Sequence, residues 1–425
     1  MAPRECRCPS CLRHHRRLRR RFICFRGARS GDIARKKELV AVSTNHSNGE
    51  QIKLSPLVVD SRDELVRDEM QLCGASIDSG LLVVDLNNIR WLTGFTGSAG
   101  TLIVRPDDMI LVVDGRYGDQ AREQIKNSGA NCEVIEGRSA VALREALAGA
   151  TASLKYINFD AGELTVAQLE SMTEQLKSEM CKIAPVVPKL RRRKTEPEIQ
   201  RMQLAALATD KALAEVVPML SQGLTERDIR DELDYRMRRH GAEFTSYDTI
   251  VASGPNSARP HHRPVSRRIE TGDSVVIDVG GLVDGYHSDM TRTFLIGDVD
   301  PVLSEMHEVV SQSQLLGIAS VKAGVLAQDV DKTCRDYIAT AGYASEFTHS
   351  TGHGVGLQIH EMPWVRTGFA EPLEVGEVVT VEPGVYREGL GGVRIEDLVV
   401  VTQTGCRILT SSKKDRQCLQ LQPTT

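Results

Sequence analysis

Apolar positions along the chain follow two spacings. Between residues 57 and 190 they gather into short runs: LLVVDL at 81–86, MILVVDG at 109–115 and YINFD at 156–160. Each run ends on polar or glycine residues and reads as a strand. The intervening segments RYGDQAREQIKNSG and VALREALAGA have the wider spacing of helices, with glycine near their ends. Strands alternating with helices predict an α/β domain over 56–190. From 195 onward the helical spacing lengthens. In TEPE, Thr195 and Glu198 have capping-box spacing, and Pro197 suits a first turn. Ile199, Met202, Ala206, Leu213, Val217 and Leu220 then recur at helical intervals. A second helix opens near Thr225, lines one face with Ile229, Leu233 and Met237, and closes at Gly241. Helices are also predicted over 303–322 and 328–341, the latter with Val330, Cys334 and Ile338 as its buried stripe. Strands are predicted at 274–281, 288–297, 377–386 and 392–402, so the second half, 195–415, reads as α+β. The two halves meet at CKIAPVVPKLRRRK, 181–194, whose prolines and basic run predict an exposed linker.

Composition changes this picture little. The 425 residues suffice for two or three domains, and at 4% aromatic the core must rest on aliphatic side chains. A net charge of -4 gives no electrostatic case for a nucleic-acid partner or a membrane surface. No apolar run approaches the roughly 18 residues needed to span a bilayer. The charge is uneven, however: residues 1–38 carry eleven Arg and two Lys against three acids, a local net of +10, which leaves -14 for the remainder. Residues 1–55 read as a basic, disordered leader without the apolar stretch of a secretory signal. Within it Cys6, Cys8 and Cys11, followed by His14 and His15, lack the spacing of a standard zinc finger. Cys73, Cys132, Cys181, Cys334, Cys406 and Cys418 are scattered and read as reduced core thiols of a cytoplasmic protein.

Candidate chemistry concentrates in HSTGHGVGLQIHE, 349–361, which sets His349, His353 and His360 on a glycine-rich backbone with no Lys or Arg. Four acids elsewhere interrupt apolar strands. Asp278 stands in VVIDVGG, Asp289 follows eleven residues later in YHSDMTRT, Glu382 ends VVTVE, and Glu396 lies inside VRIED. A hairpin would set Asp278 beside Asp289, and Arg394 shares a face with Glu396 because the strand period is two. One such acid alone is more often salt-bridged at a sheet edge than a ligand. Four together are costly unless each is paired or bound to a metal. Four carboxylates with one imidazole favour divalent cations such as Mn²⁺, Co²⁺ or Zn²⁺, and two cations can share bridging carboxylates.

In this order the residues Asp278, Asp289, His353, Glu382 and Glu396 resemble the five ligands of the pita-bread metallopeptidases. The strings VVIDVGG, YHSDMTRTF, STGHGVGLQIHE, VVTVEPGVY and GGVRIED match that family, and SYDTIVASGPNSARPHH resembles its segment with an active-site histidine, selecting His261 over His262. NIRWLTGFTGSAG and DGRYGDQA look like a creatinase-type N-terminal domain. The resemblance spans about 57–410 and points to the proline-specific branch, Xaa-Pro aminopeptidases and Xaa-Pro dipeptidases. It implies two divalent ions, most simply Mn²⁺: Asp278 on one, Asp289 and Glu396 bridging, His353 and Glu382 on the other. It implies that His261, His349 and His360 line the substrate, with Tyr247, Tyr386 and Arg394 beside them, and that Glu382 also moves a proton. The expected substrates are small peptides with proline in second place, and the expected assembly is a homodimer. Three rival readings are less compatible with the residues. A metal-free creatinase-like hydrolase and an inactive binding module would each lack ligands, and a methionine aminopeptidase would lack the N-terminal domain.

Overall fold

The computed structural model describes residues 54–414 and 418–421. The basic leader, with its Cys6, Cys8, Cys11, His14 and His15, lies outside the described residues. The first half builds a six-stranded mixed sheet in the order Cys132–Gly137, Met109–Asp114, Thr101–Val104, Ser79–Val83, Tyr156–Asp160, Glu179–Ile183. Its strand runs are continuously apolar because both faces are covered. Leu82, Ile103, Ile110 and Val112 pack with Leu147 and Ala150 of the helix Ala140–Thr151. Their neighbours Leu81, Val83, Leu102, Leu111 and Val113 turn the other way, into a cluster with Ile89 and Trp91. That second cluster does not stop at the end of the first half. It takes in Val186, Val187, Ile199, Met202, Val355, Leu357, Val378, Leu398 and Val400.

The second half contains two larger sheets, each backed by a helix pair, and two small ones. In one, Ile250–Ser253, Ser274–Asp278 and Thr291–Ile296 run antiparallel. Val275, Ile277, Phe294 and Ile296 face the helices Glu196–Val216 and Glu226–Arg239, packing on Leu213, Ile229, Leu233 and Met237. Val276 turns to the opposite face, with Ile250 and Ala252, and by strand parity Asp278 does the same. In the other sheet, Glu361–Val365, Gly352–Gly354, Val378–Val381, Asp397–Val401 and Cys406–Ile408 lie side by side. Val379, Val381, Val399 and Val401 pack there on the helices Pro301–Ser320 and Ala327–Thr340. Both helices at the start of this half carry capping boxes, Thr195 with Glu198 and Thr225 with Asp228. Each satisfies otherwise orphaned N–H groups, worth about 1 kcal/mol.

Five expectations need correction. The strand predicted over 377–386 breaks at Glu382–Pro383 into Val378–Val381 and Gly384–Arg387, which belong to different sheets. The strand over 392–402 breaks likewise at Ile395–Glu396. Asp278 and Asp289 are brought together by pairing of Ser274–Asp278 with Thr291–Ile296, but not by a tight hairpin. The connection leaves to form its own ribbon, Gly281–Val283 with Tyr286–His287. The predicted linker is not an exposed coil. It takes in the end of the strand Glu179–Ile183 and the helix Val186–Arg191, and Arg191, Arg192 and Lys194 are buried. The cysteines also differ from expectation: Cys334 is buried, Cys73 is exposed, and Cys132, Cys181 and Cys406 are half-buried.

Candidate metal centre

The acids emerge where strands end or break. Asp278 closes its strand, Asp289 stands two residues before the next, and Glu382 and Glu396 occupy the two strand breaks. At such points the backbone leaves the ladder, and a polar side chain can turn between the sheets. One ligand atom each from Asp289, His353 and Glu396 lies within 4.8 Å of the others, and all three residues are buried. His353 Nε2 is 3.4 Å from Glu382 Oε1 and 3.6 Å from Asp289 Oδ2. Its Nδ1 is 3.1 Å from the carbonyl oxygen of Gly354, which fixes the tautomer and leaves Nε2 as the lone-pair nitrogen. Tyr247 Oη bridges Asp278 Oδ1 and Asp289 Oδ1. The five sequence-predicted ligands therefore converge.

Hydroxyls that the sequence reading passed over aim the carboxylates. Thr291 Oγ1 donates to Glu396 Oε2 at 2.7 Å, and Thr380 Oγ1 donates to Glu382 Oε1 at 3.2 Å. Thr380 in turn accepts the His353 N–H at 3.0 Å. The available signal was a threonine on the inward parity of an otherwise valine-rich strand. Arg394, also buried, donates from Nη2 to Asp278 Oδ2 at 2.6 Å and from Nε to Thr291 Oγ1 at 3.1 Å.

Burial, with Asp278 and Glu382 nearby, pushes Asp289 well above the usual carboxylate range. Burial raises Glu396 too, followed by the charge of Asp289. Burial likewise lifts Glu382 to about 8, against the pull of Arg394. His353 is pushed down to about 4 by burial and then by His360, so its ring is neutral at pH 7. Buried acids crowded together with one neutral imidazole are the donor set that divalent cations neutralise. The residues present therefore fit the implied metal ions.

A cavity of about 630 Å³ opens over these groups, and His261, His349 and His360 line it. His261 is exposed, whereas its neighbour His262 is buried and bonded through Nε2 to Glu226 at 2.8 Å. Both histidines lie along the cavity, and of the two only His262 is tied to another side chain among the described residues. His349 has both ring nitrogens engaged, Nδ1 by the Ser350 carbonyl at 2.8 Å and Nε2 by Tyr386 Oη at 2.9 Å. Tyr386 stands behind the wall, also receiving Arg394 Nη1 at 2.8 Å, and does not line the cavity. His360 packs edge-on against His353, ring centres 4.4 Å apart.

Two acids outside the predicted set hold the histidine segments. Glu226 gathers Ser253, Asn256, His262 and Val265 beneath the His261 segment. Asp331 accepts from Thr351 N and Oγ1, Thr367 Oγ1 and Arg335 Nε, and Arg335 reaches the His349 carbonyl.

Comparison with known proteins agrees with this geometry. Residues 64–193 match the creatinase/prolidase N-terminal domain and residues 200–403 match metallopeptidase family M24. The chain is 38% identical over 337 residues to the uncharacterized peptidase YqhT of Bacillus subtilis, covering 79% of this chain and 94% of that one. The fold superposes on an Xaa-Pro dipeptidase from Bacillus anthracis with a TM-score of 0.80 and 35% identity, covering 84% of this chain and 99% of that one. It superposes on an X-Pro aminopeptidase from Thermotoga maritima with a TM-score of 0.74 and 31% identity, covering 83% and 100%. No helix among the described residues is long and apolar enough to cross a membrane. The converging acids, the imidazole of His353 among them, and these relatives lead to one assignment: the chain belongs to metallopeptidase family M24, with a creatinase/prolidase N-terminal domain ahead of its catalytic domain.

Proposed function

We propose that this metallopeptidase hydrolyses the bond between an N-terminal residue and a following proline. The carrying observation is the convergence of Asp289, His353 and Glu396, with Asp278 and Glu382 beside them, at the floor of a cavity lined by His261 and His360. The kinship with an Xaa-Pro dipeptidase and an X-Pro aminopeptidase supports the substrate class. We assign Asp278, Asp289, His353, Glu382 and Glu396 as ligands of two divalent cations, with Mn²⁺ as first choice and Co²⁺ or Zn²⁺ as alternatives. The matched ranges support a division into an N-terminal domain over 56–190 and a catalytic domain over 195–415. We further propose a homodimer, from the family resemblance, and a cytoplasmic enzyme, from the scattered cysteines, which read as reduced thiols.

When bound, such cations acidify a water and polarise the scissile carbonyl. The chain's own residues do the rest. His261 faces the cavity and makes no hydrogen bond within the described residues, so its N–H is available to charge developing on the carbonyl oxygen. His349 has no nitrogen to spare and serves to hold Tyr386 and, through it, Arg394. His360 and Tyr247 remain to contact substrate, with Arg394 fixing Asp278 from behind. The proline nitrogen carries no N–H and must gain a proton on leaving. We assign that transfer to Glu382.

Dipeptidase and aminopeptidase readings are equally supported by the relatives. Assaying an Xaa-Pro dipeptide beside an Xaa-Pro-Yaa tripeptide with added Mn²⁺ separates them: cleavage of both marks an aminopeptidase, and cleavage of the dipeptide alone marks a dipeptidase. Failure to cleave either, in protein that retains two metal equivalents, overturns the proposal and favours a binding module.

A further inference from the structure

Two of the buried basic residues at the junction of the two halves, Arg191 and Lys194, meet on Glu361, the residue after His360. Arg191 donates from Nη2 to Glu361 Oε2 at 2.6 Å and from Nη1 to Asn88 Oδ1 at 2.6 Å. Asn88 lies in the helix Leu86–Thr93 of the N-terminal domain, and its Nδ2 donates to Glu163 Oε1 at 2.6 Å. Lys194 Nζ reaches the other oxygen of Glu361 at 2.7 Å. Glu361 directly follows His360 and accepts the Gln358 N–H at 3.3 Å, so the 355–361 loop folds around its carboxylate. A Cβ built on Gly356 would stand 2.4 Å from Glu361 Oε1, which shows how closely the loop wraps. The same loop sends Val355 and Leu357 into the apolar cluster shared with Ile89, Trp91, Val186 and Val187. The His360 ring makes no hydrogen bond within the described residues. Its position is therefore decided by its backbone and by the edge of His353.

We propose that the N-terminal domain positions His360 through the buried relay Asn88–Arg191–Glu361, making Asn88 and Arg191 positioning residues for the reaction. The proposal rests on the reading of His360 as a substrate-facing group. Each link is a charged or amide group with both ends engaged and no solvent competitor, which is the condition for transmitting a position rather than merely adding stability. An exposed linker would leave the two domains energetically independent, whereas this junction makes the placement of one histidine depend on a helix of the other domain.

The test uses the full chain loaded with Mn²⁺ and the variants Glu361→Gln, Arg191→Met and Asn88→Ala. Three quantities are read: kcat/KM on an Xaa-Pro dipeptide, bound metal by elemental analysis, and deuterium exchange of the 355–361 and 378–381 segments. Glu361→Gln and Arg191→Met are expected to lose about tenfold or more in kcat/KM and Asn88→Ala roughly threefold, on the scale of a small misplacement. Metal content stays at the wild-type level, and exchange accelerates at 355–361 but not at 378–381. Because the relay acts through His360, Asn88→Ala causes no further loss in a His360→Ala background. Asn88→Ala and Arg191→Met within twofold of wild type in both rate and exchange would overturn the proposal. So would a full additional Asn88→Ala loss without His360. If Glu361→Gln does not fold, the Asn88→Ala pair decides. If wild-type protein cleaves no Xaa-Pro peptide, the function reading fails and the exchange data alone decide the relay.

Discussion

Replacing Glu226 by Gln withdraws one charge and one acceptor oxygen from beneath the segment that carries His261. In the wild type, Oε1 accepts from Ser253 N and Oγ at 2.8 Å and from Asn256 Nδ2 at 3.0 Å. Oε2 accepts from His262 Nε2 at 2.8 Å and Val265 N at 3.0 Å. A glutamine keeps one acceptor oxygen, so one of the two groups of donors loses its partner. The better choice turns the amide NH₂ toward His262, whose ring can switch tautomer and accept, and abandons the Val265 N–H. A hydrogen bond to a charged group is worth ~1.5–3 kcal/mol net, so E226Q costs about 3 kcal/mol. For a domain of this size each kcal/mol moves the thermal midpoint by ~2–4 °C, which predicts a drop of roughly 6–12 °C. The loosened segment also displaces His261. A misplacement of ~1 Å can cost up to ~10²-fold, and we expect about a tenfold loss in kcat/KM for E226Q. H261A, which removes an oxyanion donor outright, is expected to lose ~10²–10³-fold while keeping its metal. Since Glu226 works through His261, the double variant is no slower than H261A. The assay is hydrolysis of an Xaa-Pro dipeptide at saturating Mn²⁺, with thermal unfolding in parallel. The reasoning is refuted if E226Q melts lower yet keeps its rate within twofold. It is equally refuted if the double variant loses a further tenfold.

Other expectations are as direct. Asp289→Ala removes the carboxylate that reaches both His353 and Tyr247, so metal stoichiometry and turnover both collapse; near-normal activity in that variant contradicts the ligand assignment. Chelation of wild-type protein stops turnover and readdition of Mn²⁺ restores it, as followed by the same assay. Gly356→Ala drives a methyl into a carboxylate that Arg191 and Lys194 hold in place, and overpacking of this kind costs ~1–3 kcal/mol in urea unfolding. Stability should also fall in acid. Burial pushes Glu226 and Asp331 upward, but hydrogen bonds from Asn256, Val265, His262 and Ser253 outweigh it for Glu226. Arg335, Thr351 and Thr367 do the same for Asp331, so both carboxyls titrate below their usual values. Depressed carboxyls bind protons more readily in the unfolded chain, so their contribution is complete above about pH 5 and is lost as pH falls through the folded values. Urea midpoints measured between pH 7 and pH 3 should decline less steeply for E226Q and Asp331→Asn than for wild type.

How much of this was readable from residues alone depended on the range of the signal. The capping box of Thr195 with Glu198 and the stripes Ile229–Leu233–Met237 and Val330–Cys334–Ile338 are local, and the structure reproduces them. The strand breaks at Glu382 and Glu396 were missed because valine-rich segments read as uninterrupted β-structure; only the partner strands reveal that the two pieces of each belong to different sheets. The basic run at 191–194 was misread because charge predicts exposure unless a countercharge is known to be near, and Glu361, Glu371 and Glu377 lie some 170–185 residues away in the chain. Glu226 and Asp331 were invisible for the same reason. Each looks like an ordinary acid in the first turns of a solvated helix, and only the returning loops turn it into an anchor.

The apolar cluster that crosses the domain boundary has a consequence for biosynthesis. Leu81, Trp91 and Leu111 are translated long before Leu398 and Val400, with which they share one apolar cluster. As it leaves the ribosome, the first domain therefore carries a sticky flank that cannot be sheathed until nearly the whole polypeptide has been made. A nascent chain with such a long wait invites chaperone capture, and truncations that stop short of residue 400 should accumulate as aggregates rather than as a soluble amino-terminal fragment.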